Sequence, residues 1–171
     1  MSKSKSKSKS KKIKIVYIIN HASFFISHRF QLLLDAQKKL NAKVYLIIGQ
    51  PGSISMERSA VKILKKYKID YFRTSFEVSK NSILKDIVGL FQIIKLCNKI
   101  KPNVIHSASP KANLLTGITS FFIKAKIIFS ISGMGYLFTN KRLSFFEKFL
   151  KLFFNLLLKI LKHKKNIFFI L

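Results

Sequence analysis

Two polar clusters in this chain stand where ligand chemistry is placed in proteins built from buried strands. Asn20 and His21 close the β-branched apolar run 13–19, and His106 and Ser107 close a shorter run that begins at Asn103. Runs of this kind read as strands buried on both faces, and the polar residues that follow them are positioned to meet a ligand. An imidazole there can exchange a proton near neutral pH or hydrogen-bond a bound group. Polar residues also end every turn of an ordinary α/β domain, so both histidines have a purely structural reading as well. His28, inside Ser27-His28-Arg29, reads either as a site residue or as helix surface; His163, in a lysine run, reads as a solvated charge. Thr74, Ser75 and Ser130 are further polar residues at strand ends.

A third cluster is the loop Ser132-Gly133-Met134-Gly135. It resembles the start of a dinucleotide fingerprint, but Phe138 replaces the third glycine and the loop follows the fifth strand rather than the first, so the match is weak. No phosphate-binding Walker loop, nucleophile elbow or Cys/His metal spacing is present, and no metal site is expected. Only six residues are acidic. Of these, Glu77 and Asp35 fall near loops, and no acid/base pair stands out. The chemistry is not self-contained.

The elements that must position these residues alternate along the chain. Strands are expected at 13–19, 42–48, 70–73, 103–106 and 127–131, with a sixth beginning at 167 and cut short by the end of the chain. Helices are expected at about 24–40, 55–67, 82–100, 111–123 and 143–161. In the first helix Phe25, Leu32, Leu33 and Ala36 face the sheet; in the third, Ile83, Ile87, Leu90, Ile94 and Cys97 share one face. Gly49-Gln50-Pro51-Gly52 marks a loop and Pro102 ends a helix. Ser109-Pro110 reads as an N-cap with proline at the first helical position, aiming free N–H groups past His106. Helical crossovers without a hairpin signal define a doubly wound parallel sheet, Rossmann-like, of the α/β class. It occupies residues 13–171 as one domain, after a Ser-Lys repeat over 1–12 that reads as a disordered, solvated arm.

The 171 residues carry 33 basic and 6 acidic side chains, a net charge of +27. With six lysines in the first twelve residues, 21 of those charges fall on the rest. Such a surface attracts phosphorylated ligands, acidic lipid or nucleic acid. Only Arg29, Arg58, Arg73 and Arg142 are arginine. Lysine senses anionic surfaces as a point charge, whereas base reading leans on the guanidinium fork, so specific nucleic-acid recognition is disfavoured. The single cysteine, Cys97, excludes an intramolecular disulfide and fits a reducing compartment. On the last helix Ser144, Lys148, Lys151, Asn155, Lys159 and Lys162 form one narrow polar stripe. The apolar remainder is wider than one sheet face covers, which suits the headgroup boundary of an anionic membrane or burial against a partner domain.

Taken in order, Phe24-Phe25-Ile26-Ser27-His28-Arg29 after the first strand, Lys101-Pro102-Asn103-Val104-Ile105-His106, Ser109-Pro110-Lys111-Ala112-Asn113, and Ser132-Gly133-Met134-Gly135-Tyr136-Leu137-Phe138 resemble the N-terminal half of a family 4 glycosyltransferase of the GT-B fold. The resemblance covers residues 13–171. It implies sugar transfer from a nucleotide-sugar, with retention at the anomeric carbon, to an acceptor such as a polyprenyl-diphosphate-linked saccharide in bacterial surface polysaccharide synthesis. The domain would be the acceptor side, peripheral on the inner face of the cytoplasmic membrane and in contact with its anionic surface. It would use no cofactor beyond the donor. Acceptor-facing residues would be Asn20, His21, His28, Arg29, His106, Ser107, Lys111, Asn113, Ser132, Gly133 and Gly135. Two departures stand out: Ser132 replaces a histidine common in relatives, so no catalytic residue is assigned, and His21-Ala22-Ser23 replaces a glycine pair. The donor-binding C-terminal domain is absent from the sequence, so the chain would need that domain or a separate donor-binding polypeptide and would be inactive alone. Two other readings remain. One is a non-enzymatic basic protein binding anionic membrane or nucleic acid; the other is a nucleotide-binding α/β domain of another family.

Overall fold

The computed structural model describes residues 12–51, 53–77, 83–131 and 145–170. The expected site residues Ser132, Gly133 and Gly135, the start of the last helix with Ser144, and all of the Ser-Lys arm except Lys12 lie outside them. The described elements run β1 (Lys14–Ile19), α1 (Ala22–His28), α2 (Phe30–Leu40), β2 (Lys43–Gln50), α3 (Ile54–Lys66), β3 (Asp70–Glu77), α4 (Ile83–Ile100), β4 (Val104–Ala108), α5 (Pro110–Thr119), β5 (Lys126–Ser130), α6 (Phe145–Leu161) and β6 (Ile167–Ile170). The strands form one six-stranded sheet in the order β3-β2-β1-β4-β5-β6, and every pairing is parallel. The doubly wound α/β architecture expected from the alternation is the one observed.

Successive side chains on a strand point to opposite faces, so each strand divides between two cores. Val16, Ile18, Ile47, Ile105, Ile127 and Phe129 pack with residues of α4, α5 and α6. Ile15, Tyr17, Ile19, Val44, Leu46 and Ile48 pack with α1, α2 and α3. Double-sided burial is why these strands read as unbroken apolar runs.

Several boundaries differ from expectation, each for a local reason. The first helix is two: the backbone breaks at Arg29 (φ −133°, ψ −1°), which ends α1 and precedes α2. Phe25, Leu33 and Ala36 are buried as expected, but Leu32 is largely exposed. β2 continues through Gly49 and Gln50, and β3 runs to Glu77 instead of stopping at Arg73. The pairing shifts register between Ile48 and Gln50, where residues 74–76 of β3 stand opposite Gly49 alone, and this allows both strands to continue. There Gly49 lets the strand pass Phe76, whose carbonyl oxygen would lie 2.5 Å from an added Cβ. Thr74 is therefore a buried strand residue, donating its hydroxyl to Ile48 O at 2.9 Å.

On α4 the buried stripe is Gly89, Ile93, Cys97 and Ile100, while Ile83 and Ile87 are exposed. Gly89 decides the face. An added Cβ there would meet Phe76 N at 2.7 Å, so the helix lies against β3 at this point and turns its neighbouring isoleucines outward. α5 ends at Thr119 rather than Ile123, closed by Ser120, whose N–H bonds Thr116 O and whose hydroxyl bonds Gly117 O.

Candidate functional site

The strand order turns between β1 and β4, and in open sheets the crevice beyond the carboxyl ends of such strands is where ligands bind. A direct hydrogen bond spans that crevice, with Ser109 Oγ donating to Asn20 Oδ1 at 2.7 Å. Ser109 stands at the N-cap position of α5, but its side chain makes no cap bond, contrary to the expected capping role. Its backbone adopts φ 91°, ψ 145°, a region that favours glycine, so serine there carries strain of roughly 1–3 kcal/mol. Strain at a switch point is maintained by what surrounds it, and here the bond to Asn20 is part of that support.

The turn after β1 is built by a residue that sequence reasoning passed over. Glu57, in the first turn of α3, is buried. Its carboxylate accepts from Ala22 N and Ser23 N, both at 3.2 Å, and from Arg73 Nη2 at 3.0 Å. The amino end of α1, a position that attracts anions, is thus filled by the protein's own carboxylate. His21 completes the turn as the N-cap: its Nδ1 accepts from Phe24 N at 3.2 Å and lies 2.8 Å from Ser23 Oγ. A carboxylate opening a helix, in a chain with six acids, was the one available signal for Glu57. Nothing local announces its partners 34 and 35 positions away.

His106 lies within β4 rather than at its end, with only 7% of its surface exposed. Its Nε2 is 2.8 Å from Ser130 Oγ on β5, and its ring centroid is 5.1 Å from that of Tyr17 on β1. These side chains point to the face covered by α1 to α3. They border a groove of about 620 Å³ whose other wall is α2, with Leu32, Asp35, Ala36 and Lys39, and which Arg29 also lines. Burial, followed by the charge of Arg29, pushes the His106 imidazole down to about 4, so it is neutral at physiological pH. Burial likewise raises the Tyr17 phenol to about 12. The groove is therefore largely apolar, with Tyr17, His106 and Ser130 as neutral hydrogen-bonding groups and Arg29, Asp35 and Lys39 as charged ones.

The expected site residues do not gather in one place. Asn20 and His21 border the crevice, where Ser109 joins them; Arg29 and His106 border the groove. Ser107 and Asn113 are buried on the opposite face, where Ser107 Oγ donates to Asn113 Oδ1 at 2.7 Å and Asn113 Nδ2 donates to Ser130 O at 3.0 Å. They tie α5 to β4 and β5. Lys111 Nζ bonds Asp86 Oδ2 at 2.8 Å and the carbonyl of Glu77, linking α5 to α4 and β3. His28 is exposed and stacks on Phe24, with ring centroids 4.5 Å apart. Among the described residues no group of three or more His, Cys, Asp or Glu side chains gathers as a metal site would require.

A six-stranded parallel sheet with a polar switch point and a groove along one face defines a Rossmann-like α/β domain. It aligns with a glycosyltransferase from Rickettsia africae at a TM-score of 0.55 and 15% identity, over 93% of this chain and 42% of that one. It aligns with MurG from Acinetobacter baumannii at a TM-score of 0.52 and 10% identity, over 69% of this chain and 34% of that one. At such identities the likeness establishes the fold, and the chain spans well under half the length of either protein. The family model described as "Glycosyl transferase 4-like" matches residues 14–167, and the chain belongs to that family. No protein of curated function matches it.

Proposed function

We propose that this chain is the acceptor-side domain of a retaining glycosyltransferase that moves a sugar from a nucleotide-sugar to a lipid-linked saccharide during surface polysaccharide synthesis. The observation that carries the reading is the polar β1/β4 switch point, Asn20, His21 and Ser109, in a chain of this family. The donor site and its chemistry belong to a second domain, in the same or a separate polypeptide, and no cofactor besides the donor is needed. The 171-residue chain alone is accordingly inactive.

Surface chemistry supports a position on the inner face of the cytoplasmic membrane. α4 exposes Leu84, Ile87, Val88 and Phe91, and α6 exposes Leu152, Leu156 and Ile160 beside Lys148 and Lys159. Apolar faces edged by lysine partition into an anionic headgroup layer without spanning it. Among the described residues no helix is long and apolar enough to cross a membrane.

The test supplies the purified chain with a polyprenyl-diphosphate-linked saccharide in anionic vesicles and a radiolabelled nucleotide-sugar. Acceptor-dependent binding to the vesicles is expected, with neither transfer nor nucleotide-sugar hydrolysis. Turnover by the chain alone would overturn the division of labour. Binding indifferent to the saccharide would overturn the acceptor assignment.

A further inference from the structure

The groove beside α2 is lined by a cation, Arg29, that the fold leaves largely unused. Arg29 Nε is buried with no acceptor, and Nη1 reaches only His28 O at 3.4 Å. Neighbouring charges are engaged elsewhere. Arg73 bonds Glu57 and Gly49 O, and Asp35, the acid lining the groove, is held by Lys39 at 3.3 Å and Gln31 at 3.1 Å on its own helix. The amino end of α1, the usual place for an anion in such a sheet, is already filled by Glu57. A guanidinium N–H buried without an acceptor is costly, and its planar fork matches phosphoryl oxygens.

Beside Arg29 the groove is lined by apolar residues of the sheet and of α2, including Ile15, Val104, Ile128, Leu32 and Ala36. It thus offers a guanidinium and an apolar surface together. We infer that this groove binds a phosphoryl group carried on an apolar body, with Arg29 holding the phosphoryl oxygens, Ser130 and His106 beside it, and the α2 wall covering the apolar part. The inference deepens the acceptor-side reading and rests on it, because an acceptor joined to lipid through phosphate has both parts. It also moves the anion from the β1 turn to the face of the sheet.

The charged and titratable groups lining the groove are Tyr17, Arg29, Asp35, Lys39 and His106. Burial, and after it the charge of Arg29, holds the His106 imidazole down, and a phosphoryl group at Arg29 offsets the second of these, so His106 reports occupancy. The experiment titrates the 171-residue chain with hexyl phosphate, hexanoate and inorganic phosphate, following the Arg29 Nε–Hε and His106 ring signals by NMR and affinity by calorimetry. Hexyl phosphate is expected to move both signals, to raise the His106 midpoint, and to bind roughly ten-fold or more tighter than either other probe. Arg29→Gln should weaken it by roughly ten-fold or more, the loss expected for a charged hydrogen bond. Lys99→Gln, on the other side of the sheet, should leave it unchanged. If Arg29→Gln does not fold, the wild-type signals decide. Hexyl phosphate binding that leaves both signals in place, or survives Arg29→Gln, overturns the site; hexanoate binding as tightly overturns the phosphoryl assignment. No donor is present, so failure here, with acceptor binding intact in the vesicle assay, removes the groove and not the glycosyltransferase reading.

Discussion

Replacing Glu57 by alanine tests how the crevice is built. The substitution removes one acceptor from each of three donors. Ala22 is fully buried, so its N–H loses its side-chain partner without water to replace it, at about 1–3 kcal/mol. Ser23 N is partly exposed and recovers much of its loss from solvent. Arg73 has a side chain about one-third exposed (32%) and keeps its bond to Gly49 O, so its share is about 1 kcal/mol or less. Together these give a loss of about 3 kcal/mol, which for a chain of this size lowers Tm by roughly 6–12 °C. Urea unfolding followed by far-UV circular dichroism measures it as a shift in midpoint at constant slope. Arg73→Ala should cost clearly less, because the carboxylate keeps both backbone donors. The double variant should fall short of the sum by roughly the energy of the pair. A Glu57→Ala loss below about 1 kcal/mol, or an Arg73→Ala loss equal to it, would refute the view that Glu57 acts chiefly as the cap of α1.

Three further outcomes are expected. The His106 imidazole stays neutral in the folded chain down to about 4 but protonates near 6.5 when unfolded, so the unfolded state binds more protons between those values. Stability should therefore fall as pH drops through that window, by up to about 1.4 kcal/mol per unit from this group, and His106→Gln should flatten the slope in urea titrations at several pH values. Gly89→Ala should destabilise by about 1–3 kcal/mol despite alanine's better helix propensity, because its Cβ meets backbone of Phe76; an unchanged midpoint would show that α4 can move away from β3. Cys97, fully buried with its thiol pushed up to about 12, should resist a thiol-reactive dye in the native state and react fully in denaturant.

Much of the domain is legible along the chain because parallel strands buried on both faces must be apolar throughout and their crossovers must be helical. The runs closed by Asn20-His21 and by the residues after Asn103 therefore announced both strands of the switch point, and the ordered motifs after them announced the family. Where local patterns were ambiguous, distant contacts decided. α4 has apolar residues around most of its circumference; periodicity favoured the face of Ile83 and Ile87, and the contact of Gly89 with Phe76 selected that of Ile93 and Cys97 instead. The length of β3 depended on a register shift in its pairing with β2, taken up by extra residues in β3. Ser107 and His106 are adjacent, yet the strand's alternation sends one into the core beneath α5 and the other into the groove.

The residue types that can act were thus determined by the sequence itself: histidines and asparagine after buried strands, a lysine-dominated charge, one inert cysteine, and no metal-binding spacing. Tertiary structure alone decided which of them share a space. Glu57 reaches the turn after β1 from another helix, and Arg29 meets the His106 groove across a break between two helices. The reason is physical: strand and helix periods are set by neighbours a few positions away, whereas a buried charge is placed by donors and acceptors that only folding brings within 3 Å or so.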